Sequence, residues 1–476
     1  MKRFWLRVEQ VVLETSGRTQ GRLLVGCGVL VAAMLLGARH ADAVPSFARQ
    51  TGLACSACHT TFPELTAFGR MFKLHGYTAQ GMKELEEAGT DKAPAMSINR
   101  AFPLSIMLQT SLTRLNSQQP GTQTANVQFP QALSLFLAGE ITPHIGAFVQ
   151  ATYDGSSFNM DNTDIRYARD ATINGKELLY GVTLNNNPTL EDPWHGTPAW
   201  GVPFDGPNGG SAPVPGAKAQ VDGTLAQQVG GAGAYTLWDK HWYAAAAAYR
   251  TAHTGGGPNP PTDNSGNTIR DVAPYWRLAY QQNLGRNYFE VGTFGMFAQM
   301  FPAALSGSTD KFTDLAFDAQ FERPVGKDWL SAHATYIYEN QQLDSTHAAG
   351  AADNQNDKLH TLRLDGIYHW RERLAVTLGY FLTRGSNDAT LYAPPASPPL
   401  GAPPLTPQQQ VTGSINGSPD SDGGRFEIAY FPWQNVRLSA QYTVYTEFNG
   451  RSHNYNGTGR DAMDNNALYL LAWLMY

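Results

Sequence analysis

From about residue 100 to the C-terminus the chain repeats one plan: a β-patterned segment, a tight connection, another β-patterned segment, then a long connection. The tight connections fall at Thr142-Pro143-His144, Asn174-Gly175-Lys176, Trp238-Asp239-Lys240, Leu284-Gly285-Arg286, Val325-Gly326-Lys327, Arg371-Glu372-Arg373 and Pro432-Trp433-Gln434. The long ones lie near 115–127, 155–163, 185–229, 252–271, 302–311, 341–357, 385–423 and 447–464. Joined in this order they predict about 16 antiparallel strands, an even number that leaves both ends of the sheet on one side. A chain built this way closes into a transmembrane β-barrel, with short turns at one rim and long loops at the other.

The faces of the segments agree with a closed barrel. In 330–338, Leu330, Ala332, Ala334, Tyr336 and Tyr338 alternate with Ser331, His333, Thr335 and Ile337. In 436–447, Val436, Leu438, Ala440, Tyr442 and Val444 alternate with Arg437, Ser439, Gln441, Thr443 and Tyr445. Asp314, Asp318 and Glu322 share a face, as do Arg363, Asp365 and His369. A soluble sandwich also alternates, but its polar face carries more Lys; mixed Arg, Asp and Glu predict the lining of a wet lumen. Charged residues make up only 16% of the chain, against about 25% for a soluble domain, so much of the surface is expected to face lipid. Past residue 40 no apolar run reaches the 18 or more residues of a membrane helix. The final Leu468, Leu470, Ala472, Leu474 and Tyr476 form an apolar face ending in an aromatic, as at the end of an outer-membrane barrel. The net charge of −6, without basic clusters, argues against nucleic acid as a partner.

The N-terminus has the pattern of an export signal. Lys2, Arg3, Arg7, Arg18 and Arg22 precede an apolar stretch from Leu23 to Ala38, and Ala41-Asp42-Ala43 makes a cleavage site, so 1–43 is expected to be removed. A retained anchor is the competing reading. Cys27 resembles a lipoprotein box but precedes the apolar stretch, so lipidation there would leave that stretch attached.

Two cysteines remain after the signal, in Leu53-Ala54-Cys55-Ser56-Ala57-Cys58-His59. C-x-x-C-H is the attachment motif of c-type haem. Thiols three residues apart each add to one haem vinyl group, and the following imidazole reaches the iron. A zinc site wants further ligands at similar spacing, and a redox pair leaves His59 unexplained. The motif therefore predicts one covalent haem c, bound through Cys55 and Cys58 with His59 as proximal ligand, in a small helical segment (44–100) ahead of the barrel (101–476). For the sixth iron ligand the candidates are Met107, Met71, His75, Met82 and Met96. Met107 ranks first because Ser105, Met107, Gln109 and Ser111 share the polar face of the first strand, opposite Leu104, Ile106 and Leu108. The long connections, rich in Pro and Gly, are expected to be mobile surface, with His195, His253, His347 and His453 solvated.

Val44-Pro45-Ser46-Phe47-Ala48-Arg49-Gln50-Thr51-Gly52, the C-x-x-C-H motif and Phe68-Gly69-Arg70-Met71-Phe72-Lys73-Leu74-His75-Gly76-Tyr77 together resemble the fused monohaem cytochrome–porin family of outer-membrane Fe(II) oxidases. The likeness is specific over roughly 44–80 and around Pro103 to Gln109; over the barrel it is one of architecture. It implies outer-membrane electron transfer: extracellular Fe(II) oxidised through one haem, with the electron passed to a periplasmic c-type cytochrome or copper protein, both termini periplasmic and the long loops outside. No iron-binding residues carry over. Exchange with other extracellular donors or acceptors shares every feature above, and a haem-plugged diffusion porin is the alternative from another class.

Overall fold

Alternation along the strands is what builds the sheet, because successive side chains point to opposite faces. The computed structural model describes residues 45–78, 103–201, 211–252, 261, 267–303, 305–396 and 403–476, with the backbone of a small antiparallel pair, Leu85–Glu86 and Ser97–Ile98. The expected leader, Met82, Met96 and His253 lie outside the described residues.

The described residues form sixteen long strands: β1 (Leu104–Leu115), β2 (Ala125–Thr142), β3 (Ile145–Tyr153), β4 (Phe158–Ile173), β5 (Lys176–Asn185), β6 (Val229–Trp238), β7 (Trp242–Thr251), β8 (Ala273–Leu284), β9 (Asn287–Phe301), β10 (Asp310–Val325), β11 (Asp328–Gln342), β12 (Asn356–Trp370), β13 (Leu374–Gly385), β14 (Ser421–Trp433), β15 (Val436–Glu447) and β16 (Ala467–Met475). Each pairs antiparallel with its neighbours in sequence, and β16 pairs back onto β1 from Ala467↔Leu115 to Met475↔Met107, closing the barrel. Closure leaves no free edge for lipid to meet. One further short strand, Thr268–Ile269, adds to β9 within the predicted 252–271 connection.

All seven tight turns stand where the sequence put them. One long connection does not: 155–163 shrinks to a tight link, because Asn159 to Thr163 extend β4 and pair with β3. Asp154 holds that link, accepting from the backbone N–H groups of Ser156 and Ser157 at 2.8 Å each.

Outward positions are apolar and exposed, among them Leu135, Leu137, Val182, Leu184, Phe317, Leu364, Leu378, Ile428, Leu438 and Leu470. Trp238, Trp242, Trp370, Tyr430 and Trp433 ring the short-turn rim on the outside. An apolar band with an aromatic girdle is the exterior of a membrane-spanning barrel, with the rings at the headgroup level. Among the described residues no helix is long and apolar enough to cross a membrane.

The interior departs from the expected wet lumen. Arg166, Arg277 and Arg437 point inward as the pattern requires, but each is 0% exposed and ion-paired. Two inserts occupy the lumen. The first is the N-terminal segment, with helices α1 (Ser46–Thr51), α2 (Cys55–Cys58) and α3 (Ala67–Leu74). The second is the connection between β5 and β6, expected as mobile surface: Leu190, Trp194, Val221 and Leu225 are buried, and its backbone hydrogen-bonds to wall residues.

Candidate functional site

Each helix of the N-terminal segment is tied to the wall near the short-turn rim. In α1, Ser46 Oγ donates to the Ala138 carbonyl at 2.5 Å and Gln50 Nε2 to the same oxygen at 2.7 Å, while the Glu140 N–H donates to Gln50 Oε1 at 3.2 Å. Helix α1 ends at Gly52, whose φ of 71° lies in the left-handed region that a residue lacking Cβ enters freely. A single turn, α2, follows, and its first N–H donates to Gln434 Oε1 of the β14–β15 turn at 3.1 Å. Residues three apart on a helix lie on one face, so the turn sends Cys55 and Cys58 to the same side. The two thiols are not joined to each other.

Helix α3 starts at Thr66, whose hydroxyl accepts the Gly69 N–H at 3.1 Å and donates to the Ala57 carbonyl at 2.7 Å, so one side chain caps α3 and fastens it to α2. Gly69 lets the two helices touch, since a Cβ there would collide with the Cys58 carbonyl. Arg70 is buried, paired with Glu322 at 2.6 Å and set 4.5 Å over the Tyr288 ring. Tyr235 donates to the Leu74 carbonyl at 2.7 Å, and Tyr77 donates to Asp164 at 2.6 Å.

Cys55, Cys58 and His59 open onto one cavity of about 190 Å³ enclosed by Phe47, Phe62, Phe72, Phe136, Phe148, Trp200 and Trp473. Trp200 comes from the β5–β6 connection and stacks on Trp473 of β16 at 5.5 Å. The His59 ring lies 3.3 Å by Nδ1 from the Pro63 carbonyl. A carbonyl only accepts, so Nδ1 carries the proton and Nε2 keeps its lone pair, the orientation in which histidine ligates a metal. Burial pushes the His59 imidazole below its ordinary value, against the raising effect of Pro63 and Glu64. Burial also pushes Cys58 up to about 11, with Cys55 beside it adding to the shift, and raises Cys55. An apolar enclosure, two unbonded thiols on one face and an oriented imidazole fit a covalent porphyrin.

Behind His59 lies a charged anchor. Glu64 accepts from Thr60, meets His333 Nε2 at 2.6 Å and His369 Nε2 at 3.5 Å, and is buried. Burial works to raise this carboxyl, but His333 and His369 outweigh it and hold it well below the usual carboxylate range. His333 and His369 come from the polar faces of β11 and β12, so the alternation read in the sequence delivers them here.

The candidate sixth ligands scatter. Met107 points inward as expected, is 1% exposed, and packs in the apolar cluster of Cys55, Phe62 and Trp473, although it is not among the cavity's lining residues. Met71 and His75 face a separate cleft with Asp170 and Tyr288, and His75 sits 3.4 Å from Asp170. His195, expected in solvent, lies inside the barrel and lines the cavity, as does Met475. Its φ is 60°, a left-handed conformation that costs a residue with a Cβ about 1 kcal/mol. Burial, with the Lys73 charge nearby, pushes its imidazole down to about 3, so the ring is neutral. The run Asp192-Pro193-Trp194-His195-Gly196 carried one hint of this placement, an indole in a connection otherwise rich in small and turn-forming residues.

No family model matches the chain, and no curated protein matches it. Solved structures that resemble it include OmpF of Salmonella typhi in complex with daunomycin (10% identity, TM-score 0.44, 79% of this chain and 98% of that one). An anion-selective porin from Comamonas acidovorans follows at 12% identity and TM-score 0.42, over 78% of this chain and 98% of that one. The outer-membrane channel DcaP of Acinetobacter baumannii gives 11%, 0.43, 78% and 96%.

Proposed function

We propose that this outer-membrane barrel binds one covalent haem c in the cavity at its short-turn rim and passes single electrons from extracellular Fe(II) to a periplasmic c-type cytochrome or copper protein. The observation that supports the reading is the enclosure of Cys55, Cys58 and His59 in one apolar cavity, with His59 Nδ1 turned to a carbonyl. When bound, the haem supplies a one-electron couple, matched to the loss of one electron as Fe(II) becomes Fe(III). The chain's own residues do the rest. Cys55 and Cys58 form the thioethers, and His59 offers Nε2 while Pro63 keeps its proton on Nδ1. Phe47, Phe62, Trp200 and Trp473 keep water from the site, which sets the dielectric around the redox centre. The short-turn rim, where β1 begins and β16 ends, is on this reading the periplasmic side, so the cavity lies near a soluble acceptor. The N-terminal segment also resembles that of the cytochrome–porin iron oxidases, in line with this role.

Stopped-flow mixing of the detergent-solubilised holoprotein with Fe(II) at several pH values tests the donor. Haem reduction is expected, and no reduction at any pH removes iron oxidation while leaving exchange with other donors to be screened in the same way. A second reading, a diffusion porin with a structural plug, draws on the strand number, because sixteen-stranded barrels commonly enclose an aqueous channel. The buried ion pairs across the lumen weigh against it. Planar-bilayer conductance decides: high solute flux through the intact protein favours the porin.

A further inference from the structure

We infer that His195, brought into the cavity by the β5–β6 connection, would be the second residue to hold the haem iron, in place of any residue of the N-terminal segment other than His59. The inference rests on the proposed haem and names the residue that completes its coordination.

Three observations carry it. His195 and His59 line the same cavity, although 136 positions separate them in the chain. The backbone around His195 is clamped on both sides: Asp192 accepts from the Trp194 N–H at 2.9 Å and from the Gly196 N–H at 2.6 Å, and Arg363 donates to the Gly196 carbonyl at 2.9 Å. Asp192 is in turn held by Arg277 at 3.2 Å, and Trp194 donates to Tyr288 at 2.6 Å. Between these clamps His195 is kept at a φ of 60°. A non-glycine residue held in that region by surrounding structure is a mark of a functional position, and here the held side chain is one that ligates iron. Met475 and Lys73 also line the cavity; Met475 sits in ordinary strand register opposite Met107, with none of the left-handed backbone that marks His195.

The consequence is a haem with two imidazole ligands. Such ligation gives a lower potential than histidine with methionine. It suits a low-potential donor, and Fe(II) becomes one near neutral pH, where precipitation of Fe(III) pulls the couple down.

The test uses the full-length holoprotein and the variants His195→Ala and His195→Met. A pyridine haemochrome assay first measures haem per chain; absence of haem in the unmutated protein defeats the functional reading itself. With haem present, the unmutated protein is expected to be low-spin by optical and electron paramagnetic resonance spectra. His195→Ala should lose the low-spin signal and regain it when free imidazole is added. His195→Met, which keeps the cavity filled if the alanine variant folds poorly, should stay low-spin with a raised potential. A low-spin spectrum and potential unchanged in both variants overturns the assignment, as does loss of the low-spin signal in Met475→Ala or Met107→Ala but not in His195→Ala.

Discussion

The N-terminal helices and the β5–β6 connection both fill the barrel, yet they differ in what they leave behind. Two buried charged contacts, Arg70 with Glu322 and Glu64 with His333, help hold the helices, but most of their grip is aromatic rings and hydrogen bonds to backbone carbonyls, and they leave an apolar cavity beside the C-x-x-C-H turn. The connection is held by charge. Arg277 alone meets Asp192 at 3.2 Å, Glu290 at 3.1 Å and Asp318 at 2.6 Å, all of them buried. Arg166 donates to Asp164 at 2.8 Å and to the Leu190 carbonyl at 2.7 Å, and Arg363 pairs with Asp222 at 2.6 Å. An apolar plug can shelter an apolar cofactor. A plug locked by buried ion pairs can hold one side chain where its backbone would not otherwise stay, because losing a single partner strands several charges away from water.

The largest effect expected from breaking the first region is all-or-none. Cys55→Ser with Cys58→Ser should remove every trace of covalent haem staining from a denaturing gel, and stain that persists at the chain's position would mean the cavity is not the attachment site. The second region should fail by unlocking. Arg277→Met leaves three buried carboxylates without their cation, at a cost of roughly 3–5 kcal/mol. New protease cleavage within 186–228, with the barrel still folded, is the expected readout; an uncut connection would show that its apolar contacts suffice.

Smaller effects sharpen the first region. Glu64 has its carboxyl depressed by His333 and His369 in the folded state. The sign follows from linkage: the stabilisation it provides is complete above the unfolded carboxylate range near pH 4.5 and is lost as pH falls through the lower folded value. Protection factors over 45–78, corrected for the intrinsic exchange rate at each pH, should therefore fall on acidification, and Glu64→Gln should flatten that dependence; an identical pH response in the variant would assign it to another group. Thr66→Ala removes the cap of α3 and should cost about 1 kcal/mol, seen as faster exchange in Ala67–Leu74 with the rest of the barrel unchanged.

Legibility follows from how local each interaction is. The strand count, the faces of β1, β10, β11, β12, β15 and β16, and the inward placement of Met107, His333, His369 and Arg437 were readable, because period-two alternation and turn residues act within a few positions. The 155–163 connection was misread because Asn and Asp in 159–163 look like loop residues, whereas the pairing of β4 with β3 overrides that preference. The C-x-x-C-H motif at Cys55–His59 stands out in the sequence because the proposed covalent attachment would demand fixed spacing. His195, Glu64 and Trp200 were not, because what places them is contact between segments hundreds of residues apart.

The sequence alone determined a closed sheet with an apolar exterior and marked the C-x-x-C-H turn where the proposed porphyrin would be tethered, since alternation, turns and thiol spacing are local requirements. Only the tertiary structure decided that two inserts fill the lumen and which distant side chains share the cavity with His59. Burying a carboxylate or a strained backbone is unfavourable by itself and is tolerated only where several partners converge, a condition no stretch of sequence can show.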